Sequence, residues 1–120
     1  MALHNDLGKE AENEAVTYLI SKGYDILEKN WRYKKAEVDI ITLYKEELVI
    51  VEVKARSSDL FINPEDAVTP AKRKRIIEAV NYYVIDKDWN VNVRFDIISL
   101  LKKREKWTIN HIEDAFDILL

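Results

Sequence analysis

Three charged residues stand where charge is expensive. Asp39 lies between Val38 and Ile40 in the run EVDIITLY (37–44), and Glu52 and Lys54 close the run ELVIVEVK (47–54). Both runs are otherwise rich in β-branched and apolar side chains. Side chains alternate along a strand, so Leu48, Ile50, Glu52 and Lys54 share one face, and Glu37, Asp39 and Ile41 share a face of the neighbouring strand. An acid at the end of a buried stripe costs free energy unless it is paired or holds an ion. Only Lys45 and Glu46 separate the two runs, a length suited to a tight hairpin. Pairing Tyr44 with Glu47 sets Asp39 opposite Glu52, with Cβ atoms roughly 5 Å apart. Like charges there repel, and a divalent cation between them is the usual remedy. A structural Asp–Lys–Glu ion cluster at a strand end is the competing reading of the same residues.

These positions need a frame. Small and apolar residues recur at helical spacing over 6–22 (Ala11, Ala15, Tyr18, Leu19), with Asp6 as a candidate N-cap and Gly23 as a C-terminal stop. A strand over 24–33 and a Lys34-Lys35 turn lead into the hairpin. Residues 56–63 are polar and predict a loop, a helical turn follows over 64–68, and Thr69-Pro70 opens a long helix running to Asp86 with Ile76, Ile77, Val80 and Val84 inward. Strands over 91–101 and 107–111 and a short helix over 113–119 complete the order αβββαββα: an α/β (α+β) domain, a mixed sheet flanked by helices. With Ala15 at the centre of the first helix's apolar face, Glu12 falls about 60° away, Glu14 about 100° and Glu10 about 140°. Glu12 thus looks along the sheet edge and Glu10 points to water. On helical geometry alone, Glu12 reads better as acidic decoration that favours the helix dipole.

Composition narrows the chemistry. The 120 residues predict a single domain, and 48% hydrophobic and 34% charged residues with two Gly and two Pro describe a chain that folds. The absence of cysteine removes disulfides, thiolate catalysis and Cys-based metal sites, and two histidines are too few for a His-rich centre. A net charge of −3 argues against coating nucleic acid by charge alone, but not against carboxylates that hold a cation. No apolar run reaches the ~18 residues of a membrane span, and the N-terminal residues lack signal-peptide character, which predicts a cytoplasmic protein without a membrane partner. No phosphate-binding Gly loop, G-x-S-x-G elbow or H-E-x-x-H helix is present.

In order, LGKEAENEAV, AEVD, EVKAR and PEDAVTPAKRKRIIEAVNYYV resemble the YraN-like family of uncharacterised bacterial proteins over nearly the whole chain. That family is similar to the PD-(D/E)xK, restriction-endonuclease-like superfamily and to archaeal Holliday-junction resolvases. Its G-x-x-G-E falls on Gly8 to Glu12, its G-E-I-D on Ala36 to Asp39, its E-V-K-x-R on Glu52 to Arg56, and a later helix lysine on Lys72. Ala11 and Ala36 stand where the family usually has glycine, and neither is a ligand. The resemblance implies a restriction-endonuclease-like fold and a metal-dependent DNA endonuclease, possible substrates being branched DNA. Asp39, Glu52 and the Val53 carbonyl would hold Mg²⁺ or Mn²⁺, Lys54 would orient or help deprotonate water, and Glu12 would bind a metal-ligated water or a second ion.

Arg32, Lys34, Lys35 and Arg56 flank the acids and are candidates for phosphate contacts, with Lys72, Arg73 and Arg75 on the long helix. A solvated helix face is the plainer reading of 72–75, except at Lys72, which the resemblance singles out. Trp31, Trp89 and Trp107 read as packing residues. The rival function is a non-catalytic nucleic-acid-binding or adaptor module on a nuclease scaffold, and RNA is an open alternative to DNA. Similarity to the resolvases suggests a two-fold dimer, and a nicking monomer fits the residues equally well.

Overall fold

The computed structural model describes residues 3–56 and 68–117. Helix α1 spans Leu3–Ser21, then strands β1 (Asp25–Tyr33), β2 (Ala36–Tyr44) and β3 (Glu47–Arg56), helix α2 (Pro70–Asp86), and strands β4 (Asn92–Lys103) and β5 (Lys106–Phe116). The strands form one sheet in the order β1-β2-β3-β4-β5. Only β3 and β4 run parallel; the other neighbours are antiparallel. A parallel pair needs a crossover, and α2 supplies it.

The helices cover opposite faces. Ala11, Ala15 and Leu19 of α1 are fully buried with Ile40, Val49, Val51, Ile98 and Leu100, and the two alanines keep this packing close. Ile76, Ala79, Val80 and Tyr83 of α2 bury against Val38, Ile41, Leu48, Ile50, Phe95 and Ile97. Consecutive residues of β3 therefore feed opposite cores, which is why its sequence is almost continuously apolar. Two hairpin tips, Lys45-Glu46 and Arg104-Glu105, place two successive residues at positive φ (47° and 67°, 49° and 66°). That is the left-handed pair a type I′ turn requires, achieved here without glycine.

The α2 boundaries match expectation: Thr69 accepts a hydrogen bond from the Lys72 amide (3.2 Å), and Pro70 begins the helix. The C-terminal end differs. Residues 113–116 continue β5 instead of starting a helix, because Phe116 buries against Phe95 (centroids 4.9 Å apart) and the Asp114 amide donates to Asp96 Oδ1 (3.0 Å). Arg56, expected in the loop over 56–63, instead ends β3, and residues 57–67, with the rest of that loop and most of the helical turn, and the end of the expected last helix lie outside the described residues.

Asp96, fully buried on the α1 side, anchors a polar network. Arg94 grips it with two hydrogen bonds (2.9 and 2.8 Å), His111 Nε2 lies 2.7 Å away, and Arg94 also donates to the Tyr24 hydroxyl (2.7 Å). Burial opposes the Asp96 charge, but His111 and Arg94 outweigh it and hold the carboxyl below its ordinary range. Removing one member leaves a buried partner uncompensated. Asp96→Ala is expected to cost about 3 kcal/mol or more, read as a lower urea midpoint with an unchanged slope.

Candidate functional site

The β2–β3 register is the one the hairpin predicts, from Tyr44↔Glu47 to Ile40↔Val51. Beyond that pair the ladder changes character. The Asp39 amide donates to Glu52 Oε2 (3.1 Å), and the Val53 amide donates to Asp39 Oδ2 (2.8 Å). Each acid thus takes a backbone amide of the opposite strand, which locks both carboxylates at the strand ends. Strict face alternation also breaks here: Val38 and Ile41 belong to the α2-side core, whereas Ile40 belongs to the α1 side. The expected shared face of Glu37, Asp39 and Ile41 is therefore interrupted at Asp39.

Glu52 has no solvent exposure, and its Oε1 has no hydrogen-bond partner among the described residues. Lys72 Nζ lies 3.3 Å away and forms an ion pair with it. Burial first, and the Asp39 charge second, push the Glu52 carboxyl up to about 7. Burial also raises Asp39, against the Val53 amide and the charges of Lys72 and Lys54, with Glu12 adding to the rise. Lys54 is held below the ordinary lysine range by burial and by a side-chain hydrogen bond with Lys72. For Lys72 burial works the other way, but Glu52, Lys54 and Asp39 together lift it above its usual value. The pair of lysines is thereby divided into one that releases its proton more readily and one that keeps it.

The structure brings Asp39, Glu52, Lys54 and Lys72 together and leaves Glu12 beside them. Glu12 Oε1 accepts a 2.6 Å hydrogen bond from Asn30 Nδ2. Asn30 is a residue that the motif reading missed; its signal is an Asn inside a strand, where its left-handed backbone (φ 52°) is one that Asn tolerates. Glu10 is exposed, as expected, and there it bonds Lys102 (2.7 Å) and the Trp107 indole (3.1 Å). Among the described residues no three carboxylate or imidazole groups converge as a metal-binding set; Asp39 and Glu52 make a set of two. Of the expected phosphate contacts, Lys35, Lys72 and Arg75 line a cavity of about 210 Å³ with Asp39. Arg32 pairs with Glu37 (2.6 Å), and Arg73 donates to the Val68 carbonyl (2.7 Å) and lies over Phe116.

Residues 11–100 match the uncharacterised protein family UPF0102. The chain belongs to that family. A UPF0102 protein of Flavobacterium psychrophilum is 53% identical over 97% of this chain and 98% of its own. One from Phocaeicola vulgatus is 49% identical over 97% and 96%. Among solved structures, Pyrococcus furiosus SfsA in complex with Ca²⁺ is similar with a TM-score of 0.38 and 11% identity, covering 88% of this chain and 63% of that one. The UPF0102 match spans Glu12, Asp39, Glu52, Lys54 and Lys72. No helix among the described residues is long and apolar enough to cross a membrane.

A raised carboxyl pKa has a definite stability signature. The folded chain keeps a proton on Glu52 that the unfolded chain releases near 4.5, so this group's contribution to stability is full below that value and declines as pH rises through about 7. Glu52→Gln is expected to flatten that decline, measured as urea midpoints compared at about pH 5 and about pH 8.

Proposed function

We propose that the protein is a divalent-metal-dependent endonuclease that hydrolyses phosphodiester bonds in DNA, with branched or flapped structures as its substrates. The observation that carries the reading is Glu52 Oε1: a buried carboxylate oxygen with no hydrogen-bond partner among the described residues, faced by the Lys72 ammonium and fixed next to a second acid by two backbone amides. Buried oxygens are almost always satisfied, and a bound cation is one way to satisfy this one. Hard oxygen donors fit Mg²⁺ or Mn²⁺. Asp39 and Glu52 would hold it together with the Val53 carbonyl, and Glu12, held by Asn30, would bind through water. When bound, such an ion lowers the pKa of water and offsets negative charge growing on a phosphate.

The chain's own groups supply the rest. Lys54, with its depressed pKa, is suited to orient a water and accept its proton. Lys72 keeps its charge beside Glu52 and is suited to a phosphate oxygen. Lys35 and Arg75, on the rim of the same cavity, extend that positive edge, and Arg32, Lys34, Arg56 and Arg73 would contact phosphates further along. A symmetric cut in two strands would need two copies related by a two-fold axis.

The test is cleavage of labelled duplex, single-stranded, flapped and four-way-junction DNA, and of RNA, with Mg²⁺ or Mn²⁺. Wild type is expected to cut in a metal-dependent way, Asp39→Ala to lose cutting, and Lys54→Ala to slow it about 100-fold or more. Binding without cutting, equal in wild type and Asp39→Ala, would replace the enzyme by a nucleic-acid-binding module.

A further inference from the structure

The cavity beside Asp39 does not end there. It shares Lys35, Ala36 and Arg75 with a second cavity of about 270 Å³, whose remaining walls are Tyr33, Lys34 and Glu78. Together they form one groove leading from the carboxylates along the end of β1 to the exposed side of α2. Its far wall carries one aromatic ring, Tyr33. Tyr33 stacks on Tyr82 (centroids 4.3 Å apart, planes 21° apart) and lies parallel to Trp31 at 6.3 Å, while Trp31 meets Tyr83 edge-on at 5.1 Å. The Tyr33 ring is thus held in place by its neighbours, and Lys34 Nζ sits 5.3 Å from its centroid.

Two cations of this groove are uncommitted. Among the described residues Lys35 and Arg75 form no ion pair, whereas Arg32, Lys72, Arg94 and Lys102 all do. The left-handed Lys34 (φ 55°) places both lysines at the turn beside that wall. A fixed ring flanked by free cations is the usual platform for an unpaired nucleotide: the base stacks, the cations take its phosphates, and an acid such as Glu78 accepts from an exocyclic amine. A base inside a duplex has both faces covered by its neighbours and offers none to Tyr33.

We infer that Tyr33, backed by Tyr82 and flanked by Lys35 and Arg75, is a stacking subsite for an unpaired nucleotide next to the candidate cleavage site. This rests on the nuclease reading above and specifies its substrate: nucleic acid with a single-stranded segment adjoining the scissile phosphate. It also assigns the groove a polarity, with chemistry at the Asp39 end and recognition of strand separation at the Tyr33 end.

The experiment measures binding, with EDTA present so that nothing is cut. A duplex carrying a short flap, with 2-aminopurine as the first unpaired base, is compared with a blunt duplex of equal length. On saturation by wild type the 2-aminopurine is expected to be quenched. Tyr33→Leu should abolish the quench and weaken flap binding about five-fold or more, the lower end of the stacking range, with blunt-duplex affinity unchanged; Tyr33→Phe should behave as wild type. Should Tyr33→Leu fail to fold, Lys35→Gln and Arg75→Gln carry the test by losing more affinity for the flap than for the duplex. Equal flap affinity in wild type and Tyr33→Leu, or quenching that does not depend on residue 33, overturns the subsite. So does a change in sedimenting mass on Tyr33→Leu, which would make this face, with exposed Tyr82 and Ile85 nearby, an interface between copies. If wild type binds the blunt duplex and the flap adds nothing, the subsite alone falls; if it binds no DNA in EDTA and none with Ca²⁺ in its place, the nuclease reading falls with it.

Discussion

Two backbone amides at the end of the central hairpin are satisfied by carboxylates instead of carbonyls, and much of the molecule is arranged around that exchange. Asp39 and Glu52 each reach across to the other's strand, so neither acid can move without releasing a buried donor. The arrangement requires β3 to be an interior strand, paired to β2 on one side and β4 on the other, so that Glu52 is shut off from water. It also requires a cation on the same face. Thr69 caps α2 three residues before Lys72, so the helix start delivers that ammonium to Glu52.

The sheet carries two buried acids, and they differ in kind. Asp96 has every oxygen engaged, by Arg94, His111 and the Asp114 amide, and its network ties α1 to β5 through Tyr18 and His111 (3.1 Å). Glu52 has one oxygen, Oε1, with no hydrogen bond among the described residues, faced by the Lys72 ammonium. A satisfied buried network rigidifies a fold, whereas an unsatisfied one is a standing cost that folding alone does not explain. The fully satisfied acid thus lies on the α1 side of the sheet and the partly satisfied one on the α2 side.

Much of this was legible from residue order. Two β-branched runs flanking Lys45-Glu46 allow one hairpin register that keeps both apolar stripes buried, and Asp39 and Glu52 follow from it. Thr69-Pro70 marks a helix start by its chemistry. The misses have a common cause: they depend on partners distant in sequence. Glu113 and Asp114 look like the opening of a helix until Asp96, on another strand, captures the Asp114 amide. Arg94 and Asp96 look like ordinary alternation in a strand, and nothing near Glu10 in sequence announces that this exposed acid pairs with Lys102 and Trp107. The Tyr33–Tyr82 stack joins residues far apart in sequence and has no local signal at all.

The Lys45-Glu46 turn adds a practical asymmetry. It closes the hairpin five residue pairs away from Asp39 and Glu52, roughly 16 Å along the strands, and both of its residues are exposed. A loop tip with that exposure tolerates insertion where the rest of the hairpin does not. The fold thus offers an attachment point for a fluorophore or tether rigidly coupled to the carboxylates yet remote from them, so the site can be watched without being touched.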